Sequence, residues 1–220
     1  MSDRFTRPEW QRSALLTIDV QRDFIRPNEM LTLEGTTGPI QAMQNLTKVF
    51  RSAKLPIVHV VRIYLADGSN VDVCRRAMIE DGGQIAVPGT EGMLVAEELL
   101  PQLEIHLDSE GLLQGEVQLI SENEWVVYKP RWSAFFNTCL KEHLRSLDIT
   151  TVVVCGLNFP NCPRTTIYEA TALDFRVVAV SDAISGVYDR GLKELNGIGV
   201  LTLDSTEAVS IVTSTMNKVT

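Results

Sequence analysis

The protein has 220 residues, of which 45% are hydrophobic and 22% are charged, and its formal net charge is −8. This composition is ordinary for a folded globular protein and argues against disorder, collagen-like repeats and a disulfide mini-scaffold. The acidic balance offers no basic field to hold a phosphate backbone, so nucleic acid is not an expected partner. A prior of about 150 residues per domain allows one domain or two.

The cysteines and the apolar runs predict a cytoplasmic protein that does not associate with membranes. Residues 1–11 are polar and lack the apolar segment of a secretory signal. No apolar run approaches the roughly 18 residues that a membrane-spanning helix needs. Four cysteines in a chain of this length do not suggest a disulfide framework and fit a reducing compartment better.

Short apolar runs rich in β-branched residues predict strands that are buried on both faces, which is the pattern of a parallel sheet. In chain order these runs are residues 14–18, 57–61, 125–128, 151–155, 176–180 and 199–203. Helical spacing between them predicts helices over residues 39–54, 93–100 and 133–147. The alternation predicts one α/β domain over residues 1–220, a three-layer α/β/α, Rossmann-like fold with a doubly wound, mainly parallel, six-stranded sheet.

Residues 64–92 interrupt this alternation, because they are rich in glycine and charge and contain Pro88. A short helix is predicted within them, around residues 73–79. A loop of this length inside a compact domain is usually a lid or a binding loop.

Three chemically useful residues follow predicted strands, where ligands bind in an open parallel sheet. Asp19 ends the first strand, Lys129 ends the third, and Cys162 opens the helix after the fourth. Pro163 is suited to the first turn of that helix, whose N-terminus biases a thiol toward thiolate. From its position alone, Asp19 is also consistent with a residue that caps the turn after the strand. Lys129 is also consistent with a solvated surface charge, as most lysines are.

The remaining cysteines and the histidines predict no second reactive site. Cys139 and Cys155 lie inside a predicted helix and a predicted strand, where thiols are usually inert, and Cys74 is left without a role. His59 fits a core histidine with a partner. The three histidines of the chain lack ligand spacing, so no metal site is expected.

Three stretches in order resemble the isochorismatase-like cysteine hydrolases, the superfamily of nicotinamidases and of N-carbamoylsarcosine, ureidoacrylate and biuret hydrolases. The stretches are residues 16–24, residues 128–138, and the 156–162 loop with Thr166, Glu169 and Ala170; residues 180–183 also fit. The resemblance spans about residues 14–209. It implies a cytoplasmic homodimer or homotetramer that acts on a small-molecule substrate without a cofactor.

The resemblance implies a catalytic triad of Asp19, Lys129 and Cys162. Asp19 would be the general base and later the acid, Lys129 would stabilise its charge, and Cys162 would form a thioester. The oxyanion hole would comprise the backbone amides of Asn158 and Cys162, next to a cis peptide between Leu157 and Asn158.

The sequence departs from the family pattern around the nucleophile and after His59. Pro163 replaces a small aliphatic residue, and Phe159-Pro160 would either stiffen the loop or place a second unusual peptide bond in it. The metal-binding Asp and His residues of nicotinamidases have no match after His59, which argues against nicotinamide as the substrate and against a metal requirement.

The expected function is hydrolysis of a C–N bond in a small amide, carbamoyl or ureido compound. A vinyl-ether hydrolase of the isochorismatase type is an alternative, but those enzymes generally lack the cysteine; a non-catalytic binding protein is another. Predicted pocket residues are Phe24, Arg62, Trp132, Phe159 and Tyr188. Arg62, with Arg75 and Arg76, would either bind a substrate carboxylate or be a solvated surface charge.

Overall fold

The computed structural model describes residues 3–25, 37–102 and 105–216. Its strands are β1 (Ser13–Ile18), β2 (Ile57–Val61), β3 (Val117–Ser121), β4 (Glu124–Tyr128), β5 (Thr151–Gly156), β6 (Arg176–Ile184) and β7 (Leu201–Leu203). Its helices are α1 (Arg22–Ile25), α2 (Thr37–Ser52), α3 (Val73–Glu80), α4 (Ser109–Leu113), α5 (Leu140–Ser146), α6 (Cys162–Ala172), α7 (Asp189–Gly197) and α8 (Ser205–Met216).

All of these strands form one sheet in the order β3-β4-β2-β1-β5-β6-β7. The pairs are parallel except for β3 with β4, which is antiparallel. The central strands β1, β2 and β5 are buried at every position, as expected for strands covered by helices on both faces. The α/β fold class with a mainly parallel, doubly wound sheet is therefore confirmed.

Alternate residues of the central strands point to two separate cores, which gives the fold its three layers. On one face Leu15 and Val153 belong to a cluster that includes apolar residues of α2 and α8. On the other face Leu16 and Val154 belong to a cluster with residues of α5, α6 and α7. The period of two along each strand places successive side chains on opposite faces.

Within the described residues the sheet has seven strands, whereas the sequence predicts six. The additional strand, β3, lies at the edge, and its residues are half-buried or exposed. An edge strand of this kind lacks the continuous apolar run by which the buried strands are predicted.

The helix predicted over residues 133–147 is confirmed only in its second half, as α5. Before it, Ser133 Oγ accepts from the amide of Phe135, and Thr138 Oγ1 donates to the Ala134 carbonyl. Asn137 has a φ of 51°. Because such local side-chain bonds compete with helical ones, residues 133–139 form turns instead.

The helix predicted over residues 93–100 is wrong, since this segment contains two short 3₁₀ turns, Glu91–Met93 and Glu97–Leu99. Between them the chain is extended and pairs with the segment after β1. Gln21 forms an isolated antiparallel bridge with Val95, and the Ala96 amide donates to the Val20 carbonyl. These backbone hydrogen bonds hold the segment in an extended conformation, although the spacing of its apolar residues favours a helix.

His59 is part of a buried hydrogen-bond chain across the sheet, as predicted for a core histidine with a partner. Its Nδ1 lies 2.8 Å from Thr17 Oγ1, and its Nε2 lies 2.8 Å from Glu124 Oε1. Arg51 also donates to Glu124, at 2.7 and 2.8 Å. Burial by itself raises the pKa of Glu124, but the bonds from Arg51 and His59 outweigh it and hold that pKa below the ordinary glutamate value.

Among the helices of the described ranges, none combines the length and the apolar character that crossing a membrane demands.

Candidate active site

Asp19 and Lys129 form a buried ion pair at the carboxyl edge of the sheet. Asp19 follows β1 in a left-handed conformation with φ of 56°, which aspartate tolerates better than most residues. Lys129 follows β4, and its Nζ lies 3.0 Å from Asp19 Oδ2. Lys129 is completely buried, and Asp19 is 5% exposed. A buried lysine at this edge is thus paired with a carboxylate rather than solvated.

Cys162 begins α6 and faces this ion pair, with only 2% of its surface exposed. Burial and the negative charge of Asp19 raise the pKa of its thiol, and the positive charges of Lys129 and Arg62 only partly oppose that rise. Burial and the charge of Asp19 therefore act against the bias toward thiolate that the helix N-terminus predicts. The second oxygen of Asp19, Oδ1, is buried without a regular hydrogen bond.

Gly156, at the end of β5, allows the close approach of strands that brings these groups together. Its φ is 132°, and a Cβ atom there would lie 2.3 Å from the carbonyl oxygen of Ile18. Only glycine fits such a position. The loop from Gly156 to Cys162 therefore starts directly beside Asp19.

The loop before Cys162 leaves two amides without an acceptor. The amides of Leu157, Phe159 and Asn161 donate to carbonyls at 2.9, 2.7 and 3.1 Å. In the described part of the chain, no such bond is found for the amides of Asn158 and Cys162. These are the two amides predicted to bind an oxyanion.

The prediction of a cis peptide between Leu157 and Asn158 is wrong, since the described residues contain no cis bond. A trans bond is the favoured form wherever proline does not follow. The flanking amides of Leu157 and Phe159 hold the trans loop through their bonds to the carbonyls of Ile18 and Ser185.

Arg62 is the site residue whose placement the sequence leaves most open, and the structure buries it completely. Its Nη2 lies 3.9 Å from Cys162 Sγ, and its Nη1 lies 3.0 Å from Asp72 Oδ2. Gln21 fixes its backbone: Gln21 Oε1 accepts from the Arg62 amide and Gln21 Nε2 donates to the Arg62 carbonyl, both at 2.7 Å. The reading of Arg62 as a solvated surface charge is excluded.

The sequence alone does not reveal the roles of Gln21 and Asp72, although Gln21 follows closely after the first predicted strand, and that position is a usable signal. Asp72 belongs to the long segment 64–92 and occupies the N-cap position of α3, yet its side chain makes no capping bond. It accepts from Tyr64 at 3.1 Å and contacts Arg62 instead. The long segment thus reaches the edge of the sheet through Asp72.

Asp23 holds the long segment 64–92 against the segment after β1. Its Oδ2 accepts from the amide of Ala86 at 2.8 Å, and a Cβ atom on Gly92 would overlap its carboxylate. Asp23 therefore anchors the end of the long segment rather than facing Cys162.

An open, mostly apolar cavity of about 500 Å³ lies next to this cluster. Its lining residues are Asp72, Val73, Cys74, Arg131, Trp132, Ser133, Phe136, Thr165 and Glu169. Cys162 itself is not among them; Asp72 links the cavity to the cluster, because it lines the cavity and also contacts Arg62.

Of the predicted pocket residues, Trp132 lines this cavity, and Arg62 contacts Asp72, which also lines it. Phe24 is buried in the core of the α2 face. Phe159 is fully buried and its ring contacts that of Tyr188 at 5.3 Å. Phe24, Phe159 and Tyr188 do not line this cavity, and their place in the substrate pocket stays a prediction.

The four cysteines are free thiols, and only Cys162 lies in this cluster. Burial raises the pKa of Cys155 strongly and that of Cys139 as well, while Cys74 is exposed at the cavity. Within residues 3–25, 37–102 and 105–216, no three His, Cys, Asp or Glu side chains are grouped as a metal site requires.

Comparison with known proteins identifies the family. The family model described as an isochorismatase domain matches residues 13–205. A probable inactive nicotinamidase from Arabidopsis thaliana is 28% identical over 198 residues, which are 88% of this chain and 92% of that protein.

Two solved structures are similar over nearly their whole length. An isochorismatase family protein from Desulfovibrio vulgaris has a TM-score of 0.78 and 30% identity, and the match covers 92% of this chain and 98% of that one. A cysteine hydrolase from Pseudomonas syringae has a TM-score of 0.76 and 25% identity, with 97% and 99% covered. The chain therefore belongs to the isochorismatase family, within the superfamily of isochorismatase-like cysteine hydrolases.

Proposed function

We propose that the protein is a cysteine hydrolase that cleaves a C–N bond in a small amide, carbamoyl or ureido compound. In this proposal Cys162 is the nucleophile, Asp19 transfers the proton, and Lys129 keeps Asp19 charged and in place. The observation that carries the proposal is the buried pair of Lys129 Nζ and Asp19 Oδ2, 3.0 Å apart, facing the Cys162 thiol.

The first half of the reaction uses the neutral thiol that this environment favours. Asp19 Oδ1, which is buried and has no regular hydrogen bond, accepts the thiol proton as Sγ attacks the substrate carbonyl carbon. The amides of Asn158 and Cys162 donate to the oxyanion that develops. The protonated Asp19 then returns its proton to the leaving nitrogen, the C–N bond breaks, and a thioester remains on Cys162.

The second half of the reaction repeats this proton transfer with water. Asp19 accepts a proton from the attacking water molecule, and the C–S bond breaks as the acid product forms. The proton then passes back to Sγ, which restores the thiol. Lys129 stays paired with Asp19 throughout, and its burial prevents water from screening that pair.

A non-catalytic protein of the same fold is the second candidate, because the relative from Arabidopsis thaliana is described as a probable inactive nicotinamidase. The deep burial of Cys162 is compatible with that reading. The two candidates differ in whether Cys162 forms a covalent acyl intermediate.

The test combines substrate turnover with detection of the acyl-enzyme. Wild-type protein is assayed for ammonia release from a panel of amides, ureido acids, biuret and nicotinamide, and quenched reactions are examined by intact-protein mass spectrometry. We expect turnover of at least one panel compound and an acyl adduct that maps to Cys162. Cys162→Ser should lose both.

The matched control is Cys74→Ser, because Cys74 is an exposed thiol at the nearby cavity and has no part in the proposed reaction. Turnover that survives in Cys162→Ser would exclude thioester catalysis. A full panel without turnover or adduct in the wild type would favour the non-catalytic candidate.

A further inference from the structure

The proposed nucleophile is closed off from the cavity beside it. Cys162 is almost completely buried, and so is Arg62, whose Nη2 lies 3.9 Å from Cys162 Sγ. Neither residue lines the cavity of about 500 Å³, whereas Thr165, one turn of α6 after Cys162, does. Because a helix rises about 1.5 Å per residue, the cavity begins within about one turn of the thiol. A molecule in the cavity can therefore reach Sγ only if a side chain between them moves.

The carboxylate of Asp72 lies between the cavity and these buried residues. Asp72 lines the cavity, and it contacts Arg62, since Oδ2 lies 3.0 Å from Nη1 and Oδ1 accepts from Nη2 at 3.5 Å. Oδ2 also accepts from the Tyr64 hydroxyl at 3.1 Å and lies 3.9 Å from Arg75 Nη1. The way from the cavity to Arg62, and from there to Cys162, thus passes this carboxylate.

A second position is available to the Asp72 side chain. Asp72 is the N-cap residue of α3, with φ of −56° and ψ of 139°, yet its side chain makes no capping bond. An aspartate at this position normally accepts from an amide of the first helical turn, here that of Cys74 or Arg75. Rotation of the side chain would exchange the contacts with Arg62 and Tyr64 for a capping bond.

The contacts that hold the carboxylate on Arg62 are long. Charge-assisted hydrogen bonds are ordinarily about 2.5–2.9 Å, whereas the bonds from Tyr64 and from Arg62 Nη2 are 3.1 and 3.5 Å, and Nη1 makes no regular hydrogen bond. Val71, directly before Asp72, is fully buried, so the backbone stays in place while the side chain rotates. A capping bond stabilises α3 and offsets part of the loss of the long contacts.

We propose that Asp72 is a gate between the cavity and the proposed active site. In the closed position, which the structure shows, its carboxylate lies on Arg62 and Tyr64 and separates Cys162 from the cavity. In the open position it caps α3, and a small substrate passes from the cavity to Sγ. The inference rests on the proposed function only in naming Cys162 as the residue that the substrate must reach, because Asp72 itself takes no part in the bond changes.

The test measures the alkylation of Cys162 by iodoacetamide at a series of pH values, followed by peptide mass spectrometry. The rate rises with pH as the thiol ionises and then reaches a limit. The midpoint of this rise gives the pKa of the thiol, and the limiting rate reports how easily the reagent reaches it. The two values therefore separate an effect on charge from an effect on access.

Tyr64→Phe is the first variant, because it removes one bond to Asp72 and keeps the aromatic ring. Burial raises the pKa of Tyr64 to about 12, so its hydroxyl is neutral and the variant changes no charge. We expect the limiting rate at Cys162 to rise on the order of 10-fold, as the loss of a hydrogen bond to a charged group gives, with little change in the pKa of the thiol.

Asp72→Asn is the second variant, since asparagine caps a helix as well as aspartate does but lacks the charge that binds Arg62. We expect its limiting rate at Cys162 to rise on the order of 10- to 100-fold. The matched control is Asp67→Asn, which changes an exposed aspartate of the same long segment that bonds to Ser69. This control should leave the limiting rate unchanged.

Unchanged limiting rates in Tyr64→Phe and Asp72→Asn would overturn the gate, provided that circular dichroism and thermal melts show both variants to be folded. If Asp72→Asn does not fold, Tyr64→Phe decides alone. A wild-type limiting rate at Cys162 equal to that of exposed Cys74 would also overturn it, because the thiol would then need no gate. The labelling contains no substrate, so its outcome is independent of the proposed function, which is judged by turnover of the panel and by the Cys162 adduct.

Discussion

Replacing Asp19 by Asn should make Cys162 more reactive toward an alkylating reagent while it abolishes turnover. The two effects have opposite signs because Asp19 has two electrostatic roles. Its negative charge raises the pKa of the Cys162 thiol, second only to burial. In the proposed reaction it is also the acceptor of the thiol proton, and asparagine cannot be that acceptor.

The size of the first effect follows from the charges left around the sulfur. A unit cation 3.9 Å from a thiolate, the distance of Arg62 Nη2, stabilises it by about 4 kcal/mol at an effective dielectric constant of about 20. The negative charge of Asp19 cancels part of this stabilisation, so its removal lowers the pKa of Cys162. The thiolate fraction at neutral pH then rises about tenfold for every 1.4 kcal/mol of stabilisation that Asp19 had cancelled.

The assay is the rate of iodoacetamide modification of Cys162 at neutral pH, followed by peptide mass spectrometry. Exposed Cys74 in the same sample is the internal reference for the reagent. We expect the Cys162 rate, relative to Cys74, to rise at least several-fold in Asp19→Asn, and turnover to fall by about 10²- to 10⁴-fold with the loss of the general base. An unchanged or slower modification rate would refute the electrostatic argument, and retained turnover would refute the role of Asp19 as base.

Three further predictions test the mechanism and the fold. Cys162→Ser should lose turnover, and its double variant with Asp19→Asn should lose scarcely more in steady-state rate, because the residues act as one unit. The pKa of Glu124 is lowered in the folded state, so its contribution to stability is present above the ordinary glutamate pKa and is lost as the pH falls through the folded value. In denaturant unfolding at several pH values, the free energy of unfolding of Glu124→Gln should therefore fall less steeply with acid than that of the wild type. Gly156→Ala should destabilise the fold by roughly 3 kcal/mol or more, because the added Cβ meets a backbone oxygen at 2.3 Å in a strained conformation. Gly197→Ala, by contrast, adds a Cβ in open space within a helix and should stabilise the fold by about 0.5–1 kcal/mol. Thermal melts of the two variants check both expectations.

The buried strands and the placement of the three proposed catalytic residues could be predicted because both depend on local pattern and one topological rule. Continuous apolar runs mark the strands that are covered on both faces, and the carboxyl ends of parallel strands share one edge. That rule alone brings Asp19, Lys129 and the start of the helix at Cys162 together. Knowledge of side-chain conformation is not needed for it.

Other features depend on contacts between distant segments, which local patterns do not record. The extended path of residues 93–100 comes from pairing with the segment after β1. The burial of Arg62 comes from Gln21 and Asp72, of which the second lies in a segment without strong periodicity. The raised pKa of the Cys162 thiol follows from burial and from Asp19, which oppose the effect of the helix N-terminus.

The strand order also explains why the partner of Asp19 in the proposed triad is a lysine. Lys129 follows β4, which is separated from β1 by β2. Neighbouring strands lie about 4.8 Å apart, so the side chain must span roughly 10 Å between strand axes to reach Asp19, and only a long side chain can do so. Arg62, at the end of the intervening β2, is level with Lys129, whose amide donates to the Val61 carbonyl. The Lys129 side chain extends across β2 to reach Asp19, and it therefore lies beside Arg62 at the end of β2. Because β2 lies between β4 and β1, both cations lie near the Cys162 thiol.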